Sequence, residues 1–183
     1  MVNYARAERL ALAAALRRTG PDAPTLCEGW DASDLAVHLV VRDRYPSALP
    51  GNAAPELAAR VPLLERRAAA REAELKALPW DQLVGMVAAG PKRRSLAAWG
   101  PVDRLMNTAE YFVHHEDIRR AADEWVPRAL PADEEEQLGR MVGLLRRRMV
   151  GKPGYAEVEG PNSELLLYYF GRQSVALVKP VKA

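Results

Sequence analysis

All three histidines of this 183-residue chain lie in two short segments, Asp34-Leu-Ala-Val-His38 and Glu110-Tyr-Phe-Val-His114-His115-Glu116-Asp117. Imidazoles and carboxylates bind divalent cations and move protons near neutral pH. Glu110 and His114 are four residues apart. On a helix turning about 100° per residue they differ by about 40° and can bite one ion. Asp117 falls about 20° from Glu110 on the other side of the same stripe, whereas His115 points about 140° away. Asp117 is therefore a candidate to hydrogen-bond a metal ligand or to act as base. His115, the odd one out, is a candidate for proton transfer at a pocket rim.

A third ligand has to come from another element, and His38 is the remaining imidazole. Two helices crossing near His38 and His114 would build a His/Glu/His site. Three protein ligands leave a coordination position open for water or substrate, the arrangement of catalytic rather than structural zinc. The alternative is that His38 is a core histidine bonded to a carboxylate and that Glu110 and His114 form a helix-surface pair.

Other side chains extend this site. Arg42, one turn beyond His38, could bind a substrate carboxylate, and Asp34, one turn before, could orient the imidazole. Both could equally form an exposed network along their helix. Cys27 is a nucleophile, an extra ligand or, as lone cysteines commonly are, a small packing residue. The tryptophans at 30, 80, 99 and 125 flank predicted helix ends, where a large ring usually closes a core.

The elements that must carry these groups are mostly helical. Residues 3–18 are rich in Ala, Leu and Arg with apolar positions three and four apart, and they stop at Gly20-Pro21. Asp31 with Asp34 resembles an N-cap and its first turn, opening a helix to about Tyr45. A long helix is expected over 56–78, with Leu63, Leu64, Leu75 and Leu78 facing a core, and a short one from Trp80 to Ala89. The segment 90–100, with Lys92, Arg93 and Arg94, is a connection that could also cover the site and attract an anion. Pro101 suits the first position of a helix reaching about Trp125. The acidic run from Asp133 to Glu136 opens a last helix that Arg146, Arg147 and Arg148 close, complementing its dipole. From Gly151 the texture changes. The stretches 155–159, 165–169 and 174–178 are short, β-prone and separated by Gly or Pro, although 164–170 could instead be a helical turn. The expected organisation is a helical domain over 1–150 and a short β-prone extension over 151–183.

Composition bounds the rest. A 49% hydrophobic content supplies one core, and a formal net charge of +2 built from many charges of both signs leaves no global field for nucleic acid or an anionic membrane. One cysteine excludes an internal disulfide. The N-terminal residues lack the pattern of a secretory signal and no apolar run would span a bilayer, so a cytoplasmic protein is expected.

Taken together, Leu26-Cys27-Glu28-Gly29-Trp30 leading into the helix of His38, then Glu110-x-x-x-His114-His115-x-Asp117, resembles the DinB-like superfamily. The branch is that of mycothiol-dependent maleylpyruvate isomerase. The segment Gly160-Pro-Asn-Ser-Glu-Leu-Leu-Leu-Tyr-Tyr-Phe-Gly-Arg172 is similar to the C-terminal region of that branch. The resemblance implies a four-helix up-down-down-up bundle, which with the strand-containing tail read above makes the expected fold mainly α. It also implies a divalent metal, zinc or nickel, on His38, Glu110 and His114. Members of the branch include enzymes that use a low-molecular-weight thiol such as mycothiol: a metal lowers the thiol's pKa and presents sulfur to an electrophile. The implied activity is a metal- and thiol-dependent transferase or isomerase, whose partners are a small-molecule thiol and an electrophilic substrate; a homodimer is an open option. The tail after Gly151 is short for the isomerase's C-terminal domain, so the chain looks like a separate metal-binding subgroup. A non-catalytic metal-binding bundle and a metal-dependent hydrolase are the alternatives.

Overall fold

The computed structural model describes residues 2–45, 62–91 and 103–181. The chain is mainly helical with a small two-stranded antiparallel sheet. In order it forms α1 (Tyr4–Thr19), α2 (Ala32–Arg44), α3 (Pro62–Lys76), α4 (Trp80–Ala89), a π-helical turn (Asp103–Asn107), α5 (Thr108–Arg119), α6 (Ala132–Met149), β1 (Val158–Glu159), α7 (Asn162–Tyr169) and β2 (Lys179–Pro180). No helix among the described residues is long and apolar enough to cross a membrane.

Local chemistry sets the helix ends. Asn3 caps α1 by accepting the Arg6 N–H at 3.0 Å, and Gly20, at φ 85°, ends it with its N–H on the Leu16 carbonyl. Asp31 and Asp34 form a reciprocal capping box on α2: the Asp34 N–H donates to Asp31 at 2.8 Å and the Asp31 N–H to Asp34 at 3.4 Å. Gly90, at φ 67°, terminates α4 where a side chain with a Cβ would be strained. The first turn of α6 carries Asp133, Glu134 and Glu135 and its last turn Arg146, Arg147 and Arg148, signs that favour the helix dipole at both ends.

Helix α5 is the centre of the molecule. Every residue from Tyr111 to Ile118 is buried, and one α5 flank joins each of two apolar clusters. Tyr111 and Ile118 pack with Leu12, Leu16, Leu35, Leu39 and Leu83 from α1, α2 and α4. Ala109, Phe112 and Val113 pack with Leu138, Met141 and Val142 of α6 and Leu166 and Leu167 of α7. A helix buried all round must find partners for each of its polar side chains, because a buried charge without one is strongly destabilising. That requirement creates both polar assemblies described below.

The expected helices at 3–18, 31–45, 80–89 and 133–148 form close to their expected bounds. The helix expected over 56–78 is described from Pro62. Its Leu75 is buried and Leu78 packs against the first cluster; residues 56–61 and the side chains of Leu63 and Leu64 lie outside the described residues. So do the cationic segment 92–100, with Trp99, and Pro101.

Three expectations are corrected. The helix expected to reach about Trp125 ends at Arg119, because Ala122, Asp123 and Glu124 are exposed and offer no face to bury. The strand expected over 165–169 is α7, the helical alternative for that stretch. A continuous apolar run fits a buried strand or a buried helix equally, and packing of Leu166 and Leu167 onto α6, between Pro161 and a positive-φ Gly171, selects the helix. Of the other β-prone stretches, 155–159 shrinks to β1, and 174–178 is not strand: Val175 and Ala176 turn back onto the Arg172 carbonyl, and β2 follows it, pairing Pro180 with Val158 and Lys179 with Glu159.

Candidate metal centre

Helix α2 presents His38, and α5 presents Glu110 and His114 one turn apart. Their donor atoms converge. Glu110 Oε1 lies 3.3 Å from His114 Nε2 and 3.7 Å from His38 Nε2, and all three donors fall within 4.8 Å of one another. Two donors each bonded to a tetrahedral zinc at about 2.0–2.1 Å stand about 3.3 Å apart, so the spacing fits a single small cation. The imidazole rings of His38 and His114 meet edge to face with centroids 5.4 Å apart.

Behind His114 stands a buried support. His114 Nδ1 donates to Asp117 Oδ2 at 2.9 Å, which turns Nε2 toward Glu110 and His38. Asp117 is fully buried, and Arg172, from the segment after α7, clamps both its oxygens: Nε donates to Oδ1 at 2.8 Å and Nη2 to Oδ2 at 2.6 Å. The Cys27 thiol donates to Asp117 Oδ2 at 3.3 Å and accepts from Arg172 at 3.3 Å. Cys27, His114 and Asp117 are themselves close enough to surround an ion. Yet Asp117 is already neutralised by a guanidinium that also touches the sulfur, so a second cation there would face an arginine. The chemistry of the donors favours His38, Glu110 and His114 as ligands, with Asp117 as the carboxylate that orients one of them.

The electrostatics follow from burial opposed by close partners. Burial pushes the Glu110 carboxyl up, but hydrogen bonding from His114 and then His38 outweighs it and holds the group well below the usual carboxylate range. Burial works against a charged His114, but Asp117, Cys27 and Glu110 together hold its pKa well above the usual imidazole value. Asp117 is pushed up by burial and, on balance, held down by His114 and Arg172.

The remaining expected site residues take other partners. Arg42 does face the site, its Nε 3.5 Å from Glu110 Oε1, but its other nitrogens donate to Asp43 at 2.9 Å and Asn107 at 2.7 Å. Asp43, buried, accepts the Tyr111 hydroxyl at 2.8 Å. The guanidinium is thus held by protein groups on three sides, and the π-helical turn supplies one of them through Asn107. Asp34 caps α2 and pairs with Lys76 rather than orienting His38. His115 is not at a pocket rim: it is buried on the opposite side of α5, its Nδ1 3.2 Å from Glu8. Among the described tryptophans, Trp30 reaches the site, its ring 5.1 Å from that of His38. Together with Asp34, Val37, Val41, Glu72 and Lys76 it lines a cleft of about 150 Å³ beside His38.

Sequence reasoning missed Arg172 and the whole ionic assembly behind His115. Arg172 sits more than fifty residues from Asp117 along the chain, so spacing carried no signal for it. No family model, curated protein or solved structure matches the chain.

Proposed function

We propose that this chain is a divalent-metal protein of the DinB-like kind, with zinc or nickel held by His38, Glu110 and His114 on a four-helix up-down-down-up framework. It acts as a metal- and thiol-dependent transferase or isomerase on a small electrophile. The observation that carries the metal assignment is the convergence of two imidazole nitrogens and one carboxylate oxygen from two helices, backed by a buried carboxylate on the far nitrogen of His114. A divalent ion bound there acidifies a coordinated thiol or water.

The chain's own residues prepare that chemistry. Asp117 keeps the Nδ1 proton of His114 in place and Arg172 keeps Asp117 ionised and immobile. Arg42 leans on Glu110 and restrains the direction of its carboxylate. The cleft against Trp30 and His38 gives a small molecule a partly apolar berth beside a ligand. A low-molecular-weight thiol of the mycothiol type is the proposed co-substrate.

The test is elemental analysis of protein purified without a metal-binding tag, beside His38→Ala and Glu110→Ala/His114→Ala variants, followed by turnover assays of thiols with electrophiles. Near-stoichiometric metal lost in both variants, with thiol-dependent turnover, supports the whole reading. A folded wild type that takes up neither zinc nor nickel removes it. Metal without turnover leaves a non-catalytic metal-binding protein, and turnover in water alone a hydrolase.

A further inference from the structure

Away from the metal centre, the start of α6 brings one carboxyl group against another. Glu8 of α1 and Glu134 of α6 are each only 4% exposed. Glu8 is fully partnered: Arg128 donates to both of its oxygens at 2.8 and 2.9 Å, and His115 Nδ1 lies 3.2 Å from one of them. Glu134 is not. Its Oε1 is buried and has no hydrogen-bond partner among the described residues.

The groups around Glu134 explain why it lacks a donor. Glu8 and Tyr4 face it from α1, Arg128 from the segment before α6, and Asp133 from its own turn. The Tyr4 hydroxyl donates to Asp133. Arg128, the cation nearest the pair, is engaged with Glu8 and with Glu116 of α5, where its Nε donates at 2.7 Å. An ionised Glu134 would therefore be a buried charge beside a like charge, with no donor of its own. With a proton, the same carboxyl becomes a donor and Glu8 its acceptor.

We propose that Glu8 and Glu134 form a pH-sensitive clasp between α1 and α6: protonated, Glu134 donates to Glu8 and pins the first turn of α6 onto α1; ionised, it repels Glu8 and frees that turn. The proposal stands apart from the metal assignment, since neither carboxyl touches His38, Glu110 or His114. Burial, reinforced by Glu8, pushes the Glu134 carboxyl up to about 7, while Glu8 is held down at about 2 by His115 and Arg128 against its own burial. One proton shared by two carboxyls splits their titrations in this manner. The folded state then holds a proton that the unfolded chain releases. The clasp's stabilisation is complete below the ordinary carboxylate range and is lost as pH rises through about 7.

The test pairs carboxyl ¹³C NMR titration of the full chain with amide hydrogen exchange, corrected for intrinsic rates, at pH 5.5 and 8.5. Glu134→Gln keeps a donor to Glu8 but cannot ionise. The expected result is a glutamate signal titrating near neutrality that Glu134→Gln removes. Protection at the start of α6 and the facing turn of α1 should fall about tenfold at alkaline pH in wild type and stay level in the variant. Titration of Glu134 in the ordinary carboxylate range overturns the proposal, as does equal loss of protection in both proteins. The wild-type titration and exchange decide the matter even if the variant folds poorly.

Discussion

His114 and His115 are neighbours in sequence, both buried on α5, and each has a carboxylate oxygen near Nδ1, Asp117 at 2.9 Å and Glu8 at 3.2 Å. Their surroundings nevertheless differ in kind. Around His114 two imidazoles and Glu110 converge, with Arg42 at the edge. Around His115 the carboxylates of Glu8 and Glu116 are answered by guanidinium groups: Arg128 joins both, and Arg119 and Arg120 add bonds of 2.8 and 2.6 Å to Glu116. Arg120, almost fully buried, continues to Glu164 of α7 with bonds of 2.6 and 2.9 Å, stacks 4.3 Å from the Trp125 ring and donates to the Val175 carbonyl. One face of α5 brings two imidazoles to Glu110, which Arg42 only approaches at 3.5 Å, and the other has its carboxylates clamped by guanidinium groups. The difference teaches that the same residue types are left facing one another or locked into ion pairs according to how closely guanidinium groups clamp the carboxylates among them.

The comparison breaks most sharply on adjacent substitutions. His114→Ala is expected to abolish stoichiometric metal, whereas His115→Ala should retain it and lose about 1–3 kcal/mol of stability by leaving Glu8 with one partner fewer. Elemental analysis and urea denaturation of the two variants check both halves, and equal metal loss in both would erase the contrast. Next in size, Arg120→Ala takes from buried Glu164 the guanidinium that holds it and from Glu116 one of three, and is expected to destabilise the fold by about 3–5 kcal/mol without lowering the metal affinity of the folded protein. Chemical denaturation together with a competitive chelator titration separates those effects.

Smaller effects sharpen the boundary between ligand and support. Asp117→Asn keeps an acceptor for His114 but loses the charge that Arg172 clamps, so metal affinity should fall about 10- to 100-fold while saturating metal still binds one to one. A complete loss of binding would instead make Asp117 a ligand. Last, His114 is held protonated above the usual imidazole range, so a metal must displace its proton. Affinity should rise as pH climbs towards that raised pKa and level off beyond it. Calorimetry in buffers of different ionisation enthalpy should register the released proton, and binding without proton release would move the ion away from His114.

Much of this is legible in the chain. The stripe of Glu110, His114 and Asp117 follows from helical spacing, and His38, the one imidazole outside that stripe's segment, is the natural residue to converge on it. The capping box of α2 and the charges at the two ends of α6 can also be read directly. Arg172 and Arg128 cannot, since Arg172 meets Asp117 over a sequence separation of 55 residues and Arg128 meets Glu8 over 120. Helix propensity continues through Ala121 and Ala122 while burial does not, so residue pattern overstates the reach of α5. An unbroken apolar run has no period to read, so the stretch that forms α7 passes equally well for strand.

The sequence alone determined the helix boundaries that depend on local hydrogen bonds, the stripe on α5, and the supply of the residue types a divalent cation needs, because caps and periodicity act within a few residues. Only the tertiary structure decided that His38 comes to Glu110 and His114, and that His115 meets a Glu8 already held by Arg128. It also decided that Asp117 is a support held from a distant tail, and that Glu134 meets Glu8 without a donor. Those outcomes depend on which charges are buried against one another, and burial brings together residues that lie far apart along the chain.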